Sequence, residues 1–469
     1  MASPETQQPR AGSFFTLLSK EWRDILTGQT IWVLLLLLSA LVGYSYTQAV
    51  TLYGEASKSA QQLPEVARSL SPLDGVFVPT FGALYLGNTF LFPFIAIRSI
   101  GSEKQTGSLK LLLQLPCSLS TIVTAKVLVL LAVWLIVTLP CLTAMALWSL
   151  SGGHVGLVEV ANLFLGHFLY AFVVVGIAFL AAALTESSAT AAILTLAVTL
   201  AFWVLDFAAA GEAGLLKSLS SLSLTTLLRG FEQGIFSSSA ALGALIASAL
   251  LISVAGIWLD LRTALARKLA TSSLTVVLAI ALAAGVAFRP LYVDATQDAR
   301  NSFPLADVAT LTTLDKPLLV LVRLAPEDPR HMDFERKVLS KLRRSVRDVA
   351  VTLQSDTRSG LFEASDDYGV VRYRYDGKQA ESRSTGEGEA LPLIYGLAGV
   401  ERKSIPDREP YPGYPLQAQT GLAQIWFYGL LPLLILAGWA LGQRQATVWP
   451  TPSSQAIRSR TRRPFHGGT

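Results

Sequence analysis

The sequence predicts an α-helical polytopic membrane protein with about eight transmembrane helices and one small extracytoplasmic α/β domain between the last two. First, the chain of 469 residues is 51% apolar and only 15% charged, and its mean hydropathy is +0.46. Second, apolar runs of about 20 residues recur, which is the length that crosses a hydrocarbon core as a helix. Third, 19 of the 38 Lys and Arg residues lie between positions 289 and 408, so half of the basic charge belongs to one polar segment.

Eight apolar runs are long enough to span a membrane. They cover residues 31–50, 79–97, 127–150, 160–184, 188–210, 239–259, 271–288 and 422–441. An even number of crossings places both termini on the same side, and the segments on that side carry 15 Lys and Arg residues against four in the short loops opposite. The positive-inside rule therefore predicts that both termini are cytoplasmic. No small-residue cleavage pattern follows the first run, which is thus expected to remain as a span and not to act as a signal peptide.

The polar segment 289–420 is expected to form the extracytoplasmic domain, because long loops are translocated largely regardless of their charge. Residues 332–349 carry apolar side chains at spacings of three and four, which predicts one amphipathic helix with a basic face. Residues 401–415 are rich in Pro, Tyr and charge and predict a linker to the last span. Short apolar or alternating runs predict three strands, at 318–322, 351–353 and 370–375.

The basic face at 336–347 is compatible with two roles. It has the composition to bind anionic headgroups or an acidic substrate. A row of this kind is more often a solvated face, and that is the favoured interpretation. Nucleic acid is not expected as a partner on this side of the membrane.

Residues 13–27 precede the first span and show the pattern of an interfacial helix. The apolar face consists of Phe14, Leu18, Trp22 and Ile25. Charged side chains line the opposite face, at Lys20, Arg23 and Asp24. The alternative is a simple polar entry to the first span.

Residues 98–126, between the second and third runs, carry the most distinctive pattern. A charged start at Glu103 leads into a leucine-rich helix that stops at Pro116. Its apolar side chains lie on one side and Lys110 lies on the other, so the helix can lie along the bilayer or against a cytoplasmic partner. Gly107 is expected to allow close approach of another backbone, and Lys126 to open the third span.

This pattern resembles the coupling helix of type 2 ABC transporter permeases, and most closely those of the gliding-motility and nitrous-oxide-reductase-associated exporters. Two positions depart from the family pattern, Ser108 where Thr is commoner and Ala125 where Gly often stands. The resemblance covers about residues 13–260. The positions that match the motif are Glu103, Lys104, Gly107, Ser108, Leu109, Leu112, Leu113, Pro116, Ser118 and Lys126.

A second resemblance covers about residues 271–441. The segment 292–302, the strand after Asp315-Lys316-Pro317 and residues 368–371 are similar to the auxiliary subunit of gliding-motility-type ABC transporters. The extracytoplasmic part is shorter here than in that family. The resemblance implies that two normally separate subunits are fused in one chain.

The resemblance implies a permease subunit of an ATP-driven transporter, an exporter of the bacterial cytoplasmic membrane, working as a homodimer or as a heterodimer with another permease. A cytoplasmic ABC ATPase would bind ATP and Mg, since this chain has no Gly-x-x-x-x-Gly-Lys-Ser/Thr loop. Glu103 and Lys104 would form a polar docking pair, and Leu109, Leu112 and Leu113 an apolar contact surface. The alternative is a non-transporting subunit that transmits force to, or scaffolds, an envelope or motility partner.

No other chemistry is predicted. The four histidines lack metal-ligand spacing, and no acid, base and nucleophile set of an enzyme is recognisable. Asp206 is the one ionisable candidate for a translocation pathway, with an interface position as the alternative. The predicted organisation is an interfacial helix at 1–30, a six-helix permease domain at 31–260 with its coupling helix at 103–116, spans at 271–288 and 421–441 around the domain 289–420, and a basic cytoplasmic tail at 442–469.

Overall fold

The computed structural model describes residues 11–60, 67–112, 114, 118–208, 220, 223–288, 290–325, 328–354, 367–406 and 411–448. Eight helices within these residues are long and apolar enough to cross a membrane, which confirms the predicted fold class. We number them as spans 1 to 8. Their bounds are Gln29–Ala60, Leu73–Gln105, Leu119–Leu150, Leu157–Leu184, Ser188–Asp206, Ser238–Leu259, Leu265–Ala287 and Gly421–Arg444.

Span 4 lies at the centre of the bundle, with 72% of its most apolar window buried. Its sequence is apolar around the whole circumference, which suits a helix that is enclosed by neighbours. Spans 2, 5 and 6 pack around it. Span 7 is the opposite case: none of its residues is buried, and it packs mainly against span 6.

Span 3 begins eight residues earlier than predicted. Ser118 caps it, because the Ser118 hydroxyl accepts a hydrogen bond from the Thr121 amide at 3.2 Å. Lys126 therefore lies inside the helix, in its third turn, and does not precede it as the sequence suggested. Near the middle of the span the helix breaks at Thr138, just before Pro140, whose ring cannot continue the hydrogen-bond ladder.

Three shorter helices border the spans. Helix α1, Ala11–Thr27, precedes span 1, and α2, Ser108–Leu112, lies between spans 2 and 3. Helix α3, Leu224–Glu232, lies between spans 5 and 6 and leads into strand β1, Ile235–Ser237. Strand β1 pairs antiparallel with β2, Tyr292–Asp294, just after span 7. We call this pair the ribbon; it connects the two halves of the chain at the end of the bundle opposite the N terminus.

The polar domain between spans 7 and 8 is a small α/β fold. Its sheet has the strand order β4-β3-β5-β6, with β3 and β4 parallel and the other neighbours antiparallel. One buried cluster fills the space between sheet and helices. The strands are β3 Leu318–Val322, β4 Val349–Leu353, β5 Val371–Tyr375 and β6 Lys378–Ser382. The helices are α4 Leu305–Leu311, α5, which runs from Pro329 through a π turn at Glu335–Leu339 to Ser345, and α6 Glu387–Ala398.

The predicted helix at 332–349 is too long at its C-terminal end. Helix α5 ends at Ser345, and Val346 already has an extended backbone. Val349, the last residue of the predicted helix, is the first residue of β4. The helical spacing of Val346 and Val349 is a coincidence of two elements that bury into the same core.

The Asp328 carboxylate caps α5 and makes the domain sensitive to acid. The hydrogen bond from the Arg330 guanidinium, with a further one from the Tyr368 hydroxyl, lowers its pKa to about 2. A carboxyl with a depressed pKa stabilises the fold above its ordinary pKa, and this contribution is lost as pH falls through about 2. Between pH 5 and pH 2, we expect the free energy of unfolding of the wild-type chain in detergent to fall by about 1 to 2 kcal/mol more than that of Asp328→Asn. This range allows for the exposure of Arg330. Parallel acid-denaturation curves for both proteins would contradict this expectation.

Candidate functional site

Four charged side chains meet where α1 crosses the ends of spans 2 and 3. Lys126 Nζ lies 2.8 Å from Glu21 Oε2 and 3.0 Å from Glu103 Oε2. Lys20 Nζ lies 3.0 Å from Glu21 Oε1 and 2.6 Å from Glu103 Oε1. Lys126 also donates to the Ser99 carbonyl oxygen at 2.9 Å. We call these four side chains the charged junction, since each carboxylate bridges both lysines and so connects α1 with two spans.

The junction is largely shielded from solvent. The side chains of Lys126, Glu21 and Glu103 are 3%, 5% and 9% exposed, whereas Lys20 is 38% exposed. Burial on its own lowers the pKa of Lys20, but the carboxylates of Glu103 and Glu21 outweigh it and raise the pKa above its ordinary value. Buried charges are costly unless they are paired, so each side chain of the junction needs its partners of opposite charge.

Glu21 is the junction residue that sequence reasoning missed. Its position, four residues after Leu17 and four before Ile25, puts a carboxylate on the apolar face of α1. Leu17 is buried against the start of span 3 together with Ile122 and Ala125. A charged residue within an apolar stripe was the available signal, because such a residue needs a buried partner of opposite charge. The predicted apolar residues Phe14, Leu18, Trp22 and Ile25 all pack against the bundle.

Lys104 connects span 2 with the end of span 4. Its Nζ donates to the carbonyl oxygens of Ala182 and Ala183, both at 2.7 Å, and of Thr185 at 2.9 Å. These are carbonyls that the last helical turn cannot satisfy, and a cation there is favoured by the helix dipole. The C-terminal end of span 2 is therefore joined to α1 and span 3 through Glu103 and to span 4 through Lys104.

This geometry changes the expected role of several motif residues. Glu103 and Lys104 were predicted to form a polar docking pair, but both side chains are committed to contacts within the chain. Leu109 is buried in the main core, and Leu112 packs beside the cluster that holds α1 on span 3. These residues stabilise the connection between spans 2 and 3, which we call the hairpin. Its exposed side chains within the described residues, left for a partner, include Lys110, Leu111 and Gln114.

The remaining motif residues shape the turn. Gly107 has φ +73°, and a Cβ added there would meet no atom within 4 Å. The glycine is thus required by the left-handed turn between span 2 and α2, and not by the close approach of another backbone that the sequence suggested. The Ser108 hydroxyl lies 2.9 Å from that of Thr106. Leu113 and Pro116 lie outside the described residues.

Span 8 packs against both span 1 and α1. Phe427 is fully buried over Gly43, and Trp32 lies against Gly438. At the end of the span, the Gln443 side-chain amide donates to the Thr27 carbonyl oxygen at 2.8 Å. Span 8, which follows the polar domain, therefore packs against the same helices that carry the charged junction.

The loop after the ribbon joins the polar domain to the opposite end of the bundle. The Asp294 carboxylate accepts from the Thr296 and Asn301 amides at 3.1 and 3.0 Å, which holds the loop in shape. The Gln297 amide donates to Glu159 at the start of span 4 at 2.7 Å. Arg300 pairs with Asp74 of span 2. The loop thus contacts spans 2 and 4, the two spans that the hairpin end also connects.

Two polar side chains of spans 4 and 5 lie beside helix α3. Asp206, the predicted pathway residue, ends span 5 and accepts hydrogen bonds from Thr225 and Thr226 of α3. This position corresponds to the interface alternative. His167 of span 4 is fully buried, with Nε2 3.6 Å from Glu232 Oε1. Within the described residues no group of three or more His, Cys, Asp or Glu side chains is placed to hold a metal ion.

Comparison with known proteins identifies one family. Residues 15–288 match the family described as "ABC-2 family transporter protein". This range begins in α1, contains the whole charged junction and the hairpin, and ends just after span 7. No curated protein and no solved structure matches the chain.

Proposed function

The chain belongs to the ABC-2 family of transporter proteins, and from this we propose that it is the permease subunit through which a separate cytoplasmic ABC ATPase drives export across the bacterial inner membrane. Members of this family are membrane components of transporters, and membership implies an ABC ATPase as the partner. ATP and Mg would be bound by that partner. We propose further that transport is outward and is coupled to ATP hydrolysis. We also propose that the assembly is a dimer and that both termini are cytoplasmic.

The observation that carries the proposal is the charged junction. A force on α1 or on the hairpin reaches span 3 through Lys126, span 2 through Glu103 and span 4 through Lys104. Packed elements of this kind move between discrete arrangements and do not deform continuously. A docked ATPase that closes on ATP would therefore shift several spans together, which is what alternating access requires.

The proposed docking surface is the outer side of the hairpin together with the exposed side of α1. Leu111 is 66% exposed and Phe15 is 67% exposed, and Leu111 follows the exposed Lys110 in the chain. Exposed apolar residues with a polar rim are typical of protein contacts. The opposite sides of α1 and of the hairpin pack around the charged junction. A partner bound at the docking surface would therefore act directly on the junction.

Replacing Leu111 with aspartate tests this surface. We expect the chain solubilised from native membranes to retain a co-eluting ABC ATPase, and Leu111→Asp to lose most of it, because a carboxylate cannot be buried in an apolar contact without a partner. The matched control is Leu150→Asp, which changes a leucine that is 82% exposed at the far end of span 3. Quantitative mass spectrometry of the eluates measures the result. Equal ATPase recovery with Leu111→Asp, or none with the wild-type chain, would contradict the proposal.

A further inference from the structure

A cavity of about 210 Å³ lies between helix α5 of the polar domain and the ribbon. This is well above the about 10 to 15 Å³ that one water molecule needs, and it is enough for a phosphate with part of a glycerol unit. Tyr292 and Asp294 of β2 and Asn301 of the following loop form one wall. Lys341 and Arg344 of α5 form the other.

Arg344 is the wall residue whose charge is not used within the domain. Lys341 Nζ is paired with Glu387 Oε1 at 2.5 Å. The Asp294 carboxylate is engaged by donors of its own loop. Arg344 donates one hydrogen bond to the Asn301 carbonyl oxygen at 2.6 Å, and within the described residues it forms no ion pair. Several guanidinium N–H groups therefore remain for an acceptor that enters the cavity.

Burial supports the same conclusion. It lowers the pKa of the Arg344 guanidinium, with Asp294 acting in the opposite direction. A half-buried cation without an ion-pair partner is unfavourable, and an anion that binds it removes part of that cost. The other basic residues of α5 differ, since Arg336 and Lys337 pair with Asp333 and Arg343 pairs with Glu335.

The cavity lies at the level of the membrane surface. Ile235 of its wall is three residues from the start of span 6, and Tyr292 is five residues from the end of span 7. An extended chain covers at most about 3.6 Å per residue, so Ile235 lies within about 11 Å of Ser238. The headgroup layer on each side of the hydrocarbon core is about 5 to 8 Å thick, so the cavity borders it.

An apolar surface continues from the cavity into the bilayer. Val293, Leu291 and Phe288 are 45%, 60% and 82% exposed, in the order that leads from the ribbon to span 7. Span 7 itself has no buried residue. Lipid chains would cover this surface directly beneath the cavity.

We propose that the cavity binds the phosphate of a phospholipid headgroup, with Arg344 as its ligand and the acyl chains along span 7. The planar fork of a guanidinium matches a phosphate with two parallel hydrogen bonds. The bound lipid holds α5 against the ribbon, and through the ribbon the polar domain is fixed to spans 6 and 7. This site is separate from the docking of an ATPase at the other end of the bundle.

The test is a titration of the detergent-purified full chain, with its melting temperature as the readout. Dioctanoyl phosphatidylglycerol is the main probe, dioctanoyl glycerol lacks the phosphate, and inorganic phosphate lacks the lipid. We expect phosphatidylglycerol alone to stabilise the wild-type chain. In Arg344→Gln the half-saturating concentration should rise at least about fivefold, the equivalent of losing one basic contact to an anionic surface.

Two further variants make the result specific. Arg343→Gln removes a neighbouring basic residue that is paired with Glu335, and it should leave the titration unchanged. Ser345→Trp fills the cavity and retains Arg344, and it should weaken binding as strongly as Arg344→Gln does. The proposal fails if either cavity variant responds like the wild type, if dioctanoyl glycerol stabilises equally, or if inorganic phosphate alone gives the Arg344-dependent effect.

Discussion

Lys126→Met is expected to destabilise the chain by about 3 to 5 kcal/mol, which is the usual cost of removing one partner from a buried ion pair. Methionine fills a similar volume, so the loss comes from charge and not from a cavity. Glu21 and Glu103 would remain within reach of Lys20, which is too exposed to compensate for both. Thermal or denaturant unfolding in detergent measures the change. Lys110→Met, on the exposed side of the hairpin, is the matched control and should cost less than about 0.5 kcal/mol.

A double-mutant cycle then separates the interaction energy between two residues from a general loss of stability. Glu103→Gln removes the charge that bridges Lys126 and Lys20, and it is expected to destabilise the chain by itself. If the junction acts as one unit, the double variant Glu103→Gln/Lys126→Met is more stable than the sum of the single changes predicts, by about 1 to 3 kcal/mol. Additive losses would mean that the two residues do not depend on each other, and the junction would not be a mechanical connection.

Gly43→Val is expected to separate span 8 from span 1. A Cβ at position 43 would lie closer than 3.0 Å to the Phe427 side chain, and both residues are buried in the bundle. Forcing extra atoms into such a contact costs about 1 to 3 kcal/mol or more. Gly82→Val is the matched control in span 2, where an added Cβ meets no atom within 4 Å. A lower melting temperature for Gly43→Val but not for Gly82→Val is the expected result.

The same variant shows whether span 8 contributes to the end of the bundle that carries the junction. The Gln443 amide bonds to the last residue of α1, so we expect cysteines at Thr27 and Gln443 to be cross-linked efficiently by a short bis-maleimide once Cys117 and Cys141 are replaced. Adding Gly43→Val should reduce the cross-linked fraction severalfold. An unchanged fraction would show that span 8 holds to α1 without the Gly43 contact.

The spans were predictable because about 20 consecutive apolar residues indicate a transmembrane helix whatever that helix packs against. Tertiary contacts carried no such signal. The burial of Phe427 on Gly43 joins residues almost 400 positions apart, and no local pattern indicates that span 8 returns to span 1. The motif residues Glu103 and Lys126 were selected by resemblance, but their partner Glu21 and the internal role of Lys104 depend on how the helices cross.

In the polar domain, too, only the elements with a local sequence pattern were predictable. Strand β3 is central and continuously apolar, so its bounds matched the prediction. Strand β6 lies at the edge of the sheet with mostly polar side chains, and it has no alternating pattern to reveal it. Helix α6 could have been predicted, because Glu387 and Glu389 stand in its first turn and Gly399 ends it.

In the proposed function, nucleotide binding by a partner ATPase moves the spans through the charged junction. The direct test is a distance between two spin labels on the chain, reconstituted with its ATPase in lipid. One label replaces Lys58 at the end of span 1, and the other replaces Trp203 near the same end of span 5; both positions are exposed. Cys117 and Cys141 are first replaced so that only these positions react.

The distance is measured without nucleotide and with ATP trapped by vanadate. We predict a change of about 2 Å or more between the two states, since packed helices shift by about 1 to 2 Å and, in larger transitions, by one helical turn. In Glu103→Gln/Lys126→Met the change should disappear while the ATPase stays bound, because the docking surface is intact and the junction is not. Identical distances in the two states of the wild-type complex, or an unaltered change in the double variant, would contradict coupling through the charged junction.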